Sequence, residues 1–176
     1  MTRWKSSDLI AKGKAKKAAV LPASVQRASV LIGIDPGTKT GFAIKSNEDW
    51  HNIDTLPIFG AIKRVIAANE YCVREGLSIL VRVEDARLRT WFGKKKQKDI
   101  LGNVVIAETG SERWKGAGSI ARDCAIWEEV LTDLKIPFEM VHPKHVKETT
   151  ADYFKKLTGW QGRTSIHARE AAWLIL

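Results

Sequence analysis

The stretch VLIGIDPGTKTGFAI, residues 30–44, carries the pattern that decides the fold. Val30 to Ile34 is a continuous apolar run, as expected of a central strand buried on both faces. Asp35 ends the run, Pro36-Gly37 supplies a turn, and Gly41 to Ile44 reads as a second strand, so the spacing predicts a hairpin that opens a sheet. Two readings of Asp35 stand side by side: a polar residue that stops a strand and starts a turn, or a metal ligand at a strand end. Gly33 lies two residues earlier and so on the same strand face, where the missing side chain leaves room for a substrate backbone or an ion.

Working outward, residues 58–75 place Ile58, Ile62, Val65, Ile66 and Cys72 at helical spacing, and Gly76 is placed to end that helix. LSILVRVED, residues 77–85, reads as another core strand. Glu84 and Asp85 compete there, because adjacent strand residues point to opposite faces; Glu84 is the chosen candidate. Residues 86–118 hold five glycines and little clean periodicity, and read as a long functional loop with a short helix. Ser119 is the expected N-cap of a helix whose stripe is Ile120, Cys124, Trp127, Leu131 and Leu134, stopped by Pro137. FEMV, residues 138–141, is a short strand. After it come a turn containing His142 and His145, read as surface residues, and a basic helix ending at Gly159. In the closing TSIHAREAAWLIL, residues 164–176, Thr164 or Ser165 caps a helix that sets His167 and Glu170 three apart on one face. Ala168, Ala171 and Ala172 permit that helix to pack closely on a sheet.

A chain of 176 residues, 44% of them apolar, suits one domain with a real core. We divide it into a basic arm, residues 1–28, and a folded domain, residues 29–176. Cys72 and Cys124 sit far apart within helical patterns, which suits buried thiols better than a disulfide framework or a zinc site. No apolar run approaches the roughly 20 residues that span a membrane. A cytoplasmic protein is expected, although the acid-poor start also has the composition of an organellar transit peptide. The net charge of +9 is concentrated: residues 1–28 carry +6 and residues 86–98 another +6, leaving the remainder at −3. Two basic patches on a mildly acidic body point to a polyanionic partner, since each neutralised phosphate releases counterions.

Asp35, Glu84 and the pair His167 and Glu170 thus end or begin separate hydrophobic elements. If the fold gathers them, the carboxylates cannot all stay ionised without cations, and their oxygen-rich chemistry favours Mg²⁺ or Mn²⁺ over zinc. Two such ions about 4 Å apart clamp the attacking and leaving oxygens of a phosphodiester cleavage.

Four segments in order, IGIDPGTKTGFAI, LVRVEDAR, DCAIWEEVLTDLKIPFEMVHPKHVKETT and HAREAAWLI, resemble the RuvC-type Holliday-junction resolvases, and most closely their short phage and prophage relatives. The resemblance implies an α/β protein of RNase H-like fold, a five-stranded mixed sheet flanked by helices, acting as a homodimer on branched DNA with two Mg²⁺ or Mn²⁺ ions. It puts the ligands of that family on Asp35, Glu84, His167 and Glu170, and a phosphate-contacting lysine on Lys147. Glu170 departs from the family's usual Asp by one methylene, about 1.5 Å. His167 reads either as a cap-bonded helix histidine or, within the family frame, as a ligand or general base. RLRTWFGKKKQK, residues 87–98, falls where the family has a loop that enters the junction. There Arg87, Arg89, Lys94, Lys95 and Lys96 would hold phosphates, and Trp91 or Phe92 would stack on a base or fill local core.

The expected activity is a metal-dependent, structure-selective endonuclease. Three other readings stay open: an RNase H-like nuclease for forks, flaps or RNA-DNA hybrids; a branched-DNA-binding protein without turnover; and an ATPase of the actin-like and sugar-kinase class, whose first phosphate loop DPGTKTG resembles. The last needs a second such loop on a second lobe, and the sequence shows none.

Overall fold

The computed structural model describes residues 28–47, 49–89, 95–98, 104–107, 111–146 and 149–176, without the side chains of 95–98, 104–107 and 111–117. The basic arm (Ala28 apart), Trp91, Phe92, Lys94, Lys147 and the side chains of Lys95 and Lys96 lie outside the described residues.

Strands β1 (Val30–Asp35), β2 (Lys39–Ser46), β3 (Asp49–Pro57), β4 (Ile79–Glu84) and β7 (Phe138–Val141) form one mixed sheet in the order β3-β2-β1-β4-β7. β1 pairs antiparallel with β2 and parallel with β4, which pairs parallel with β7. The five-stranded mixed sheet flanked by helices that the sequence leads one to expect is the observed architecture. A separate two-stranded sheet joins β5 (Lys95–Lys98) to β6 (Val104–Ala107). The helices are α1 (Ile58–Glu75), α2 (Ser111–Asp133), α3 (Ala151–Thr158) and α4 (Ile166–Trp173), with single 3-10 turns at Ala86–Leu88 and Pro143–His145. Among the described residues, no helix is long and apolar enough to cross a membrane.

Strand parity sorts the chain into two cores. Val30, Ile32 and Ile34 of β1, with Val81 and Val83 of β4, pack beneath α1 and α2 against Val65, Cys72, Trp127 and Leu131. Leu31 and Leu80 face the other way, toward Phe154 of α3 and Ala168, Ala171 and Ala172 of α4. Ala28, the first described residue, packs on this second core. Because side chains alternate along a strand, Asp35 shares the face of Leu31, and Glu84 that of Leu80. Both therefore emerge on the α4 side.

Gly76 and Gly159 end α1 and α3 in the left-handed conformation, as their positions in sequence predict. Cys72 and Cys124 are buried free thiols. Three expectations need correction. The helix expected from Ser119 begins at Ser111 and runs through Gly116 and Gly118. A helix-interior glycine costs only about 1 kcal/mol and stops a helix by turning left-handed, and neither does so here. Of the predicted stripe, Cys124, Trp127 and Leu131 are buried, whereas Ile120 and Leu134 are exposed. Residues 86–118 are likewise not a continuous loop, since a 3-10 turn, the β5-β6 hairpin and the first turns of α2 occupy much of that span.

The third correction concerns Gly33. The space beside it is taken by α4: a Cβ built on Gly33 would lie 1.9 Å from the Ala171 carbonyl oxygen, and one on Gly41 would lie 2.0 Å from that of His167. These glycines admit helix backbone rather than an ion or substrate. Gly33→Ala should accordingly lower stability by about 3 kcal/mol or more, the cost of overpacking a filled core. For a chain of this size that is a fall of about 6–12 °C in Tm. A melting temperature within 2 °C of wild type, roughly half a kcal/mol, would contradict the contact.

Candidate metal centre

β1 and β4 lie side by side in parallel, with Ile34 opposite Val83. One step further along each strand stand Asp35 and Glu84, on the same face. Over that end of the sheet comes the start of α4. Ser165 is its N-cap: its hydroxyl accepts from the Ala168 N–H at 3.0 Å and shares a 2.5 Å hydrogen bond with Thr55 of β3. The helix begins one residue later, so His167 and Glu170 project from its first turns. Their three-residue spacing puts them on one face.

His167 Nδ1 lies 2.7 Å from Asp35 Oδ2 and 3.7 Å from Glu170 Oε2. One ligand atom from each of Asp35, His167 and Glu170 falls within 4.8 Å of the others. The extra methylene of Glu170 therefore does not keep it out of the cluster. Glu84 stands just beyond this trio, near enough for its charge to act on Asp35 and for that of Glu170 to act on it. Arg89 Nη2 reaches Glu84 Oε1 at 3.4 Å. His167 bonds Asp35 rather than a helix cap, which removes the cap-bonded reading.

Crowding of acids at a half-dry strand end has an electrostatic consequence. The side chains of Asp35 and Glu84 are only 13% and 12% exposed. Burial, then the charges of Glu84 and Glu170, push the Asp35 carboxyl from its ordinary 3.8 up to about 7, against the opposing hydrogen bond from His167. Burial and then Glu170 raise Glu84 too, partly offset by Arg89. The protein spends free energy to hold these groups ionised together, and a divalent cation would recover it.

Asp85, the rival of Glu84, points to the opposite face. It is buried and accepts from the Arg87 backbone N–H at 2.9 Å and from Arg87 Nε and Nη2 at 2.8 Å each. Burial pushes its carboxyl up, but these hydrogen bonds outweigh that and hold it below the usual range. Arg87 also reaches Glu128 of α2 at 2.7 Å, so its Nε and Nη2 are engaged within the fold. Asp85 and Arg87 thus fasten the segment after β4 to α2. His142 accepts from the Lys144 N–H at 3.0 Å within its own 3-10 turn, and His145 is exposed, both apart from the acidic cluster.

Two supporting residues were not apparent in the sequence. Gly41 admits the His167 carbonyl, and its signal, a glycine inside an apolar strand, was legible but unassigned. Arg82 is a charged residue in a core strand; it is buried, pairs with Glu139 at 3.1 Å and donates from Nη1 to the Leu174 carbonyl at the far end of α4.

No protein-family model and no curated protein matches the chain. Among solved structures, the chain is similar to T. thermophilus RuvC in complex with Holliday junction substrate, with a TM-score of 0.47 and 16% identity over 83% of this chain and 90% of that one. A second Thermus thermophilus RuvC structure gives a TM-score of 0.36 at the same identity and coverage.

The raised Asp35 carboxyl sets a pH dependence. Its folded-state value lies above its ordinary one, so its contribution to stability is complete below pH 3.8 and is lost as pH rises through about 7. In chelator, Asp35→Asn should therefore melt higher than wild type at pH 8, and the gap should close toward pH 5. Thermal melts at the two pH values check this; a gap that is constant or wider at pH 5 would contradict the crowding.

Proposed function

We propose that the chain is a divalent-metal-dependent endonuclease that cuts phosphodiester bonds in branched DNA, with the four-way junction as its substrate and a homodimer as its working form. The observation that carries this reading is the convergence of Asp35, His167 and Glu170 within 4.8 Å, with Glu84 on the same face. Three of the four motifs that resemble the RuvC-type resolvases contribute these four groups, the remaining one contributes Lys147, and the two basic segments suit a polyanionic substrate. For T. thermophilus RuvC, the Holliday junction is the substrate in its complex.

The donor set fits Mg²⁺ or Mn²⁺: three carboxylates and one imidazole, two of the acids raised by burial and then by the neighbouring acids. Asp35, Glu170 and Glu84 would hold the cations, with His167 as a fourth ligand or as a base. Bound there, the metal supplies Lewis-acid neutralisation of charge on the phosphoryl group. The chain's own groups do the rest. Asp35 fixes the His167 ring through Nδ1, which leaves Nε2 as the nitrogen to take a proton from the attacking water. Arg89, more than half exposed beside Glu84, is placed to exchange that carboxylate for a phosphate oxygen. Lys147, Trp91, Phe92 and Lys94 to Lys96 are the further contacts assigned to DNA, with Lys147 beside the scissile phosphate.

The purified chain with Mn²⁺ should place paired, symmetric nicks in a four-way junction. Asp35→Asn should cut at least about 1,000-fold more slowly, the upper scale of losing one charge-stabilising group, while binding the junction as well as wild type or better. Nicking of forks, flaps or RNA-DNA hybrids in preference to junctions would reassign the substrate. Junction binding without cleavage of any of these, or full activity in Asp35→Asn, would overturn the reading.

A further inference from the structure

Arg169 sits between the two candidate ligands of α4, yet it takes no part in their cluster. It is 7% exposed, and its guanidinium is bound to neutral oxygens of the chain. Nε donates to the Thr149 carbonyl at 2.8 Å, and Nη1 donates to the Thr164 carbonyl at 2.9 Å and the Thr164 hydroxyl at 3.3 Å. Thr149 and Thr164 flank the segment that contains α3, whose Phe154 is fully buried in the second core. A single planar group thus closes the ends of that excursion on the residue immediately before the α4 cap.

That location matters because α4 has only eight residues. A helix so short does not hold its own first turn in water, and His167 and Glu170 both project from the part that frays. The Ser165 cap and its bond to Thr55 restrain the entry from one side. Arg169 restrains it from the other, by fixing Thr164. A lysine would keep the charge but not the fork that grips two carbonyls at once.

We propose that Arg169 is a positioning residue of the metal centre: it locks the entry of α4 so that His167 and Glu170 meet Asp35, and it acts through geometry rather than charge. The proposal rests on the metal-centre reading above. The test uses the full chain. Arg169→Lys should bind Mn²⁺, measured by calorimetry with the metal alone, about 10-fold or more weakly, the scale on which a group that orients ligands acts. On junctions it should lose kcat with KM little changed. In chelator, the Ala168 and residue 169 amides, which bond to Ser165, should exchange hydrogen at least about 10-fold faster while strand amides stay protected.

Thr164→Val, which keeps both carbonyl acceptors and removes one hydroxyl, should shift Mn²⁺ affinity the same way by about three-fold, and serves if Arg169→Lys does not fold. Lower melting temperature with Mn²⁺ affinity and α4 exchange both at wild-type values would make Arg169 merely structural and overturn the proposal. Wild-type affinity in Thr164→Val, where Arg169→Lys does not fold, would overturn it as well. If wild type binds Mn²⁺ but cuts no DNA, the nuclease reading fails while weaker binding in Arg169→Lys still supports the positioning role. If wild type binds no Mn²⁺, the metal-centre reading fails and the positioning role toward it fails with it.

Discussion

The close seating of α4 on the sheet is the constraint on which the candidate site depends. Two carbonyl oxygens one helical turn apart, those of His167 and Ala171, rest on the Cα atoms of Gly41 and Gly33 in neighbouring strands. Any side chain at either glycine would lift the helix away. Alanines complete the contact from the helix side, where Ala168, Ala171 and Ala172 are fully buried. With the backbone held this low, an imidazole in the first turn of α4 reaches a carboxylate at the end of β1 at hydrogen-bond distance. The separation between helix and sheet is thus set by residues without chemistry of their own, and the chemical groups inherit it.

Seating brings repulsion with it. Three carboxylates and a half-exposed imidazole converge at a strand end where Asp35 and Glu84 are largely shielded from solvent, and the outcome is an Asp35 pushed up to about 7. A fold under no functional demand would relieve this by replacing an acid with an amide. Here the polar groups around the site, Arg89 at Glu84 and His167 at Asp35, compensate only in part. The remaining excess of negative charge would suit a hard divalent cation. Strand alternation keeps Asp85 out of this cluster; on the opposite face, sealed by Arg87, it fastens the segment after β4 to α2.

Much of this was legible in the sequence because strand parity and helix caps are local rules. The two-residue period that put Glu84 and Asp85 on opposite faces held without reference to any partner, as did the glycine stops at Gly76 and Gly159; of the two cap candidates, Thr164 and Ser165, the structure uses Ser165. What escaped depended on tertiary contact. β3 is an edge strand, and His51, Asn52 and Asp54 give it a polar texture that hides its period. Gly33 looked like room for a ligand because sequence shows an absent side chain but not the helix backbone that fills its place. The start of α2 was misplaced because glycine signals a stop only through its backbone conformation. Arg87 lies in a basic stretch that the family resemblance assigns to phosphate contact, while its partner Glu128 lies on another element.

The central claim is that Asp35, Glu84, His167 and Glu170 form one metal centre. Crystals of the full chain soaked in Mn²⁺ and recorded at the manganese absorption edge test it directly. The account predicts anomalous density enclosed by Asp35, His167 and Glu170, with Glu84 among the ligands, and none of comparable height at His142 and His145. Absence of density there at saturating Mn²⁺, with the His167 to Asp35 hydrogen bond intact, would contradict it.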